Sequence, residues 1–438
     1  MARTHTYPAL KCMLNGHLVG ELKREAPKRL SFTYAQSWLD FANTLPVSLS
    51  MPLQQPPHSS AKVWNYFDNL LPDNAAIRQT IARSVGATDQ DPYHLLKAIG
   101  ADCVGALQVL EDYESYNQPA QTSIPLSDSD IEKLLSSLST SPLGLESDDS
   151  FRISLAGFQE KTALAWINNQ WHKPIGLTPT THIFKPPSKV NIGNTSLYHS
   201  VENEFLCLKI CAAFGLPSAL ATIESFGSIK ALCVKRFDRL NTKDGRIIRL
   251  PQEDLCQAFG LSSSLKYEVD GGPSIKAIIQ LLKASENSEQ DCVNFLKSQI
   301  LFWAMAAIDG HAKNFSIFLK PNNSFTLAPL YDVISVQPYI DSHHLLKKKA
   351  KMAMAIGLNR HYVVDEIFPR HFFQTAKLSG ISHILLRSIM DEIVDTYQKN
   401  LDAVISNLPD NFPQSILDFV MNGIKKRVLL IKQDKSSE

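Results

Sequence analysis

Ile300-Leu-Phe-Trp-Ala-Met-Ala-Ala-Ile308 is an unbroken apolar run that stops at Asp309-Gly-His-Ala-Lys-Asn314. A run with no polar face belongs to a helix buried on all sides, and the Asp-Gly pair breaks it. A buried helix therefore delivers a carboxylate to a loop. Downstream, Phe315 to Leu319, the turn Pro321-Asn-Asn323 and Phe325 to Leu327 read as a short hairpin that returns the chain to Tyr331-Asp332. This path predicts that Asp309 and Asp332 converge.

Two carboxylates with an amide between them are the parts that phosphoryl transfer needs. One carboxylate faces the incoming hydroxyl, while a second carboxylate and an amide oxygen hold Mg²⁺ against nucleotide phosphates. Asp309 takes the first role; Asn314 and Asp332 take the others. The spacing from Asp309 to Asn314 is that of the Asp and Asn in a protein-kinase catalytic loop.

Upstream, Lys185 ends the β-like run His182-Ile-Phe184, where an ammonium can meet phosphates and pair with a helix carboxylate. Glu204 is the preferred partner on the following helix, expected from His199 to Phe214, and Glu202 is the alternative. No G-x-G-x-x-G is present. Ser154-Leu-Ala-Gly-Phe-Gln-Glu-Lys161 stands in its place, with small residues that let backbone N–H groups turn toward phosphate oxygens.

The rest of the chain supports a soluble, mixed α+β protein. Its 438 residues, 44% hydrophobic and 20% charged, predict two or three domains and exclude a disordered chain. The net charge of +1 excludes broad attraction to nucleic acid or anionic lipid, leaving a local basic patch open. Seven cysteines without a C-x-x-C pair suit a reducing cytosol, and no charged-then-apolar leader or bilayer-length run is present. Cys207 and Cys211, four apart on a helix, are better read as core residues than as metal ligands.

Four segments are expected: an α+β subdomain over 1–115, a Ser/Thr/Pro/acid-rich connector over 116–150, a β-rich nucleotide-binding part over 151–237, and a helical lobe carrying the catalytic loop over 238–438. Within the connector, Ser129-x-x-Glu132 reads as a capping box. Trp64 to Asp73 reads as a packed helix ending at Pro72.

Several motifs, taken in chain order, resemble the HipA family of serine/threonine-protein kinase toxins. They are Ser48-Leu-Ser-Met-Pro-Leu-Gln54, Phe67-Asp-Asn-Leu-Leu-Pro-Asp73, Phe151 to Thr162, Thr178 to Lys185, Arg236-Phe-Asp-Arg239, Leu250-Pro-Gln-Glu-Asp254, Lys266-Tyr-Glu268, Asp309 to Phe315 and Tyr331-Asp332. The resemblance implies a two-lobed protein-kinase-like fold, with a β-rich N-terminal lobe and an all-helical C-terminal lobe. It implies Asp309 as the catalytic residue, Asn314 and Asp332 as Mg²⁺ ligands, and Lys185 as the phosphate lysine. The nucleotide contacts it implies are Ala156, Gly157, Phe158, Gln159, Glu160, Lys161, Lys235, Arg236, Phe237, His311, Ala312, Lys313 and Tyr331. Where the family often carries an acid in the segment joining the lobes, this chain has Lys235.

The resemblance further implies ATP as the phosphate donor and autophosphorylation on Ser154, which ejects the phosphate loop. A small HipB-like helix-turn-helix antitoxin is the implied partner, with operator DNA bound through the complex as a repressor. Glutamyl-tRNA synthetase is the implied substrate, with arrest of translation and persistence as the outcome in the cytoplasm. Two alternatives stay open. Asp309-x-His311-x-x-Asn314 also resembles the loop of phosphoinositide kinases, although no basic amphipathic membrane segment accompanies it. A catalytically idle co-repressor scaffold could contact phosphate through Lys425-Lys-Arg427, a run better read as a solvated helix face.

Overall fold

The computed structural model describes residues 7–111, 122–145, 151–188, 191–192, 195–196 and 199–434. The two ends of the Ser/Thr/Pro-rich stretch expected as a connector, 116–121 and 146–150, and part of the loop after Lys185 lie outside them. The chain divides into two compact units. The first comprises Met1–Pro186, Glu224–Ser263 and Ile317–Ser324; the second comprises Pro187–Ile223, Ser264–Ser316 and Phe325–Glu438. The units therefore do not part at residue 237.

The first unit opens with a four-stranded antiparallel sheet in the order Arg29–Tyr34, His17–Ala26, Leu10–Leu14, Leu107–Leu110. Its first hairpin turns at Asn15-Gly16, both at positive φ (46° and 89°), the turn whose twist matches its strands. The expected helix at Trp64–Asp73 runs only over Ala61–Asp68. Pro72 disfavours helical geometry at the residue before it. The chain accordingly leaves the helix through tight turns, Leu70 N–H to Phe67 and Leu71 N–H to Asp68.

A six-stranded sheet follows, in the order Ala221–Phe226, Ile229–Lys235, His182–Lys185, Thr162–Ile167, Gln170–Pro174, Ser123–Pro125. The helix Asp128–Ser137 covers it, packing Ile131, Leu135 and Leu138 against Leu164, Phe184, Ala231 and Cys233. The described part of the expected connector is thus built into the sheet and its core. The helix is capped by Ser127 with Asp130, not Ser129 with Glu132. Glu132 instead accepts the N–H and hydroxyl of Ser228, each at 2.7 Å.

A buried ion cluster joins the two sheets. Asp102 receives Arg239 and Arg249 on Oδ1, both at 2.9 Å, and Arg236 at 3.3 Å and the Thr180 hydroxyl at 2.7 Å on Oδ2. Asp238 accepts Arg236 and Arg239 at 2.7 and 2.9 Å, and the Gly105 N–H at 2.7 Å. Burial alone would raise the Asp102 carboxyl, but Arg239, Arg249 and Arg236 outweigh it and hold the group well below the usual carboxylate range. The Arg236-Phe-Asp-Arg239 motif is therefore a fold-holding clamp. Asp102→Ala leaves three buried guanidinium groups facing one carboxylate and should cost about 3–5 kcal/mol, measured as a lowered urea midpoint.

The second unit is mainly helical. The helix Ser288–Met305 is buried along most of its length, with Trp303 fully buried and donating its indole N–H to the Val364 carbonyl at 3.0 Å. His383–Ile405 and Gln414–Gln433 pack in the same unit. The lobe is not all-helical, because Lys351–Ile356 pairs with His361–Val363. Arg427 is 2% exposed and donates to the Ala304 carbonyl at 3.0 Å and to Gln337 at 2.9 Å. Only Lys425 and Lys426 of the basic run face solvent, so neither a solvated face nor a phosphate contact describes Arg427. Cys207 and Cys211 are fully buried, and burial pushes the Cys207 thiol up to about 12, which suits core packing and not thiolate ligation.

Candidate active site

The expected site residues fall in both units. Asp309 to Asn314, Tyr331, Asp332, Glu202 and Glu204 belong to the second; Ser154 to Lys161, Lys185 and Lys235 to Phe237 belong to the first.

In the second unit, the helix Ser288–Met305 ends at Ala306 in the left-handed conformation (φ 53°). Gly310 then passes so close to Phe302 that a Cβ there would lie 2.6 Å from its ring. This close approach admits only glycine after the aspartate. The loop folds on itself: the Asp309 carbonyl accepts the His311 N–H at 2.8 Å and the Asn314 side-chain amide at 2.7 Å. Donating through Nδ2 leaves the Asn314 carboxamide oxygen as its end for a cation.

Around Asp309 the loop is closed, with His311, Ala312, Lys313 and Asn314 all buried. The Asp309 side chain itself is 54% exposed. Its Oδ1 accepts the Tyr267 hydroxyl and lies 3.9 Å from His311 Nε2. Burial above all, with Lys266, pushes the His311 imidazole below its ordinary range; Asp309 and Asp332 both pull the other way. Of the two carboxylates, Asp309 stands nearer the imidazole in the contacts described, 3.9 Å from its Nε2.

Asp332 is held at φ 58°, a costly left-handed backbone for a non-glycine residue. Its surroundings enforce that conformation. The Tyr331 hydroxyl donates to the Lys313 carbonyl at 2.7 Å and accepts from Ser316 at 2.6 Å. The Leu330 N–H donates to Pro217 at 2.8 Å. Asn203, fully buried, bonds both the N–H and the carbonyl of Ser335, each at 2.9 Å. Asn203 sits between Glu202 and Glu204 on the helix Ser200–Ala213, and both acids are buried, with His199 3.8 Å from Glu202.

In the first unit, Thr162 pairs with Phe184 across antiparallel strands, and one step further along that register Lys161 faces Lys185. Both lysines are buried. Lys161 donates to the Ala156 carbonyl at 3.1 Å, curling the loop over Gly157, which adopts φ 105°. Gln159 donates to the Pro186 carbonyl at 3.1 Å, tying the loop to the strand of Lys185, while Phe158 stays half exposed. Ser154 is 0% exposed; its hydroxyl donates to the Leu70 carbonyl at 2.7 Å and its N–H to Asp102 at 3.0 Å.

Arg236 spends its guanidinium on the Asp102 cluster and its N–H on the Thr181 carbonyl at 2.9 Å, so its side chain is not a nucleotide contact. Lys235 beside it is exposed. Two residues of the loop's surroundings carry no role in the sequence reading. Tyr267 lies inside the quoted Lys266-Tyr-Glu268 motif, and Asn203 is signalled only by being an amide between two acids on a helix without a polar face.

This geometry can be set beside known proteins. The HipA-like C-terminal domain matches residues 153–401, more than half of the chain, and the HipA N-terminal domain matches residues 10–110. A putative kinase, Y4mE, of Sinorhizobium fredii is 33% identical over 433 residues, covering 98% of this chain and 99% of that one. The serine/threonine-protein kinase toxin HipA of Shewanella oneidensis is 28% identical over 418 residues, 91% of this chain and 90% of the toxin. The solved complex of HipA, HipB and operator DNA from Shewanella oneidensis MR-1 matches with a TM-score of 0.82 at 25% identity, over 98% of this chain and 100% of that chain. The two-lobed, kinase-like α+β architecture is common to both. With both domains matched in order and across nearly its whole length, the chain belongs to the HipA family.

Proposed function

We propose that this protein is an ATP- and Mg²⁺-dependent serine/threonine-protein kinase, the toxin of a toxin–antitoxin module. The observation that carries the proposal is the contrast at the loop. A half-exposed carboxylate, Asp309, stands on an otherwise buried frame in which His311 lies 3.9 Å from it and the Asn314 amide is fixed to the Asp309 carbonyl at 2.7 Å. Asn314 and Asp332 supply hard oxygen donors, the chemistry Mg²⁺ prefers. When bound, Mg·ATP supplies the phosphoryl group and neutralises its charge. Asp309 then receives and orients the acceptor hydroxyl, and the phosphates are the ligand of the loop from Ala156 to Lys161 and of Lys185.

The related toxin's complex supports a HipB-like antitoxin and operator DNA as partners. A glutamyl-tRNA synthetase substrate, arrest of translation, persistence and a repressor role follow the same family logic. Seven buried free thiols suit a reducing cytoplasm. Among the described residues no helix is long and apolar enough to cross a membrane.

Asp332→Ala tests the metal role. Calorimetric titration of the wild type with ATP should tighten on adding Mg²⁺, and Asp332→Ala should lose that tightening while still binding nucleotide. An unchanged Mg²⁺ effect removes Asp332 from the ligand set.

A further inference from the structure

We propose that Tyr267 is a positioning residue for the catalytic carboxylate, its hydroxyl fixing Oδ1 of Asp309 so that Oδ2 faces the acceptor. The inference rests on the kinase assignment of Asp309 and extends it to a residue 42 positions upstream. Packing alone does not orient a side chain that is 54% exposed, and a free aspartate would spread over several rotamers. The Tyr267 hydroxyl removes that freedom. Both the Tyr267 hydroxyl and His311 Nε2, the latter 3.9 Å away, lie on the Oδ1 side of the carboxylate. Both named contacts are on Oδ1, which leaves Oδ2 to the substrate in this proposal.

Tyr267 is itself well anchored. Its ring meets His311 edge to face, with centroids 5.0 Å apart and planes at 86°. The neighbouring Lys266 carbonyl accepts the Ala312 N–H at 3.1 Å, so the backbone just before the tyrosine is joined to the 309–314 loop. Glu268, the next residue, accepts the Ala355 N–H at 2.6 Å and lies 3.2 Å from Arg360. The turn is thereby braced from behind by the strand Lys351–Ile356. A phosphate acceptor must meet its carboxylate within a narrow range of angles, and a misplacement of about 1 Å costs on the order of a hundredfold in rate.

The test uses the full chain with γ-labelled ATP and the proteins of a bacterial lysate as acceptors. Tyr267→Phe keeps the ring on His311 and removes only the hydroxyl. The expected result is a fall of about ten- to a hundredfold in the transfer rate at saturating ATP, with calorimetric ATP affinity and the thermal midpoint unchanged. An unaltered rate overturns the proposal, and so does a fall that comes with lost ATP affinity or a lowered midpoint, which marks a structural role. A rise in rate overturns it as well and makes Tyr267 a competitor for Asp309. If the wild type itself labels no protein, the kinase assignment fails first and takes this inference with it; an active wild type with an indifferent Tyr267→Phe sinks the inference alone.

Discussion

Asp309→Asn is expected to lower phosphate transfer by about 10²–10⁴-fold, the usual worth of a positioned acid–base group, while the protein stays folded and binds ATP. The reason lies in how the loop is held. Asn314 is anchored by the backbone carbonyl of residue 309, not by its side chain, so the amide oxygen proposed for the metal keeps its place. The asparagine has the same shape as the aspartate and retains an oxygen that can accept the Tyr267 hydroxyl. What disappears is the charge facing the acceptor. Initial rates with γ-labelled ATP, beside calorimetric ATP affinity, separate these effects. Near-wild-type transfer by Asp309→Asn would contradict the assignment, and lost ATP binding would show that the residue frames the loop instead.

Phosphorylation of Ser154 is expected to abolish ATP binding. Its hydroxyl is wholly buried and engaged by the Leu70 carbonyl at 2.7 Å, while the residues after it lie along the 70–73 segment, with the Asp73 N–H on the Gly157 carbonyl at 3.1 Å. A phosphate of about −1.5 to −2 charges does not fit there and faces a carbonyl oxygen. The modified serine must leave, and the Ala156 to Lys161 loop begins two residues later. Because that departure precedes any meeting with a γ-phosphate, the reaction should run between molecules, with a specific rate that rises with enzyme concentration. Mass spectrometry of protein made with Asp309 intact should show the phosphopeptide, and protein with Asp309→Asn should lack it. A Ser154-phosphorylated form that binds ATP normally would refute the switch and leave the kinase assignment standing.

The parts legible in the sequence are those fixed by local chemistry. The Ile300–Ile308 run and the Asp-Gly break mark where the buried helix gives way to the Asp309–Asn314 loop, because neither depends on distant residues. Asn15-Gly16 carried an equally local hairpin signal, and the strand His17–Ala26 that it starts follows from that turn. Other features are long-range. Asp102 collects arginines more than 130 residues away, so Arg236, expected among the nucleotide contacts, shows its buried carboxylate partners only in the folded chain. Arg427 looks like part of a basic surface because its acceptors, Ala304 and Gln337, are 123 and 90 residues distant. Tyr267 and Asn203 were hidden similarly, since neither their spacing nor their type announces the aspartate or the backbone they hold. The residues expected to touch ligand could be named from their types and spacing; the long-range partners of Tyr267 and Asn203 could not.

The most direct test of the central claim is whether the purified full-length chain moves the γ-phosphate of labelled ATP onto serine or threonine of protein in a Mg²⁺-dependent way. Incubation with a bacterial lysate, with and without EDTA, should give labelled protein only when Mg²⁺ is present, and acid hydrolysis should return phosphoserine or phosphothreonine. Label that appears in lipid or a small molecule instead, that persists in EDTA, or that never exceeds the background of Asp309→Asn would contradict it.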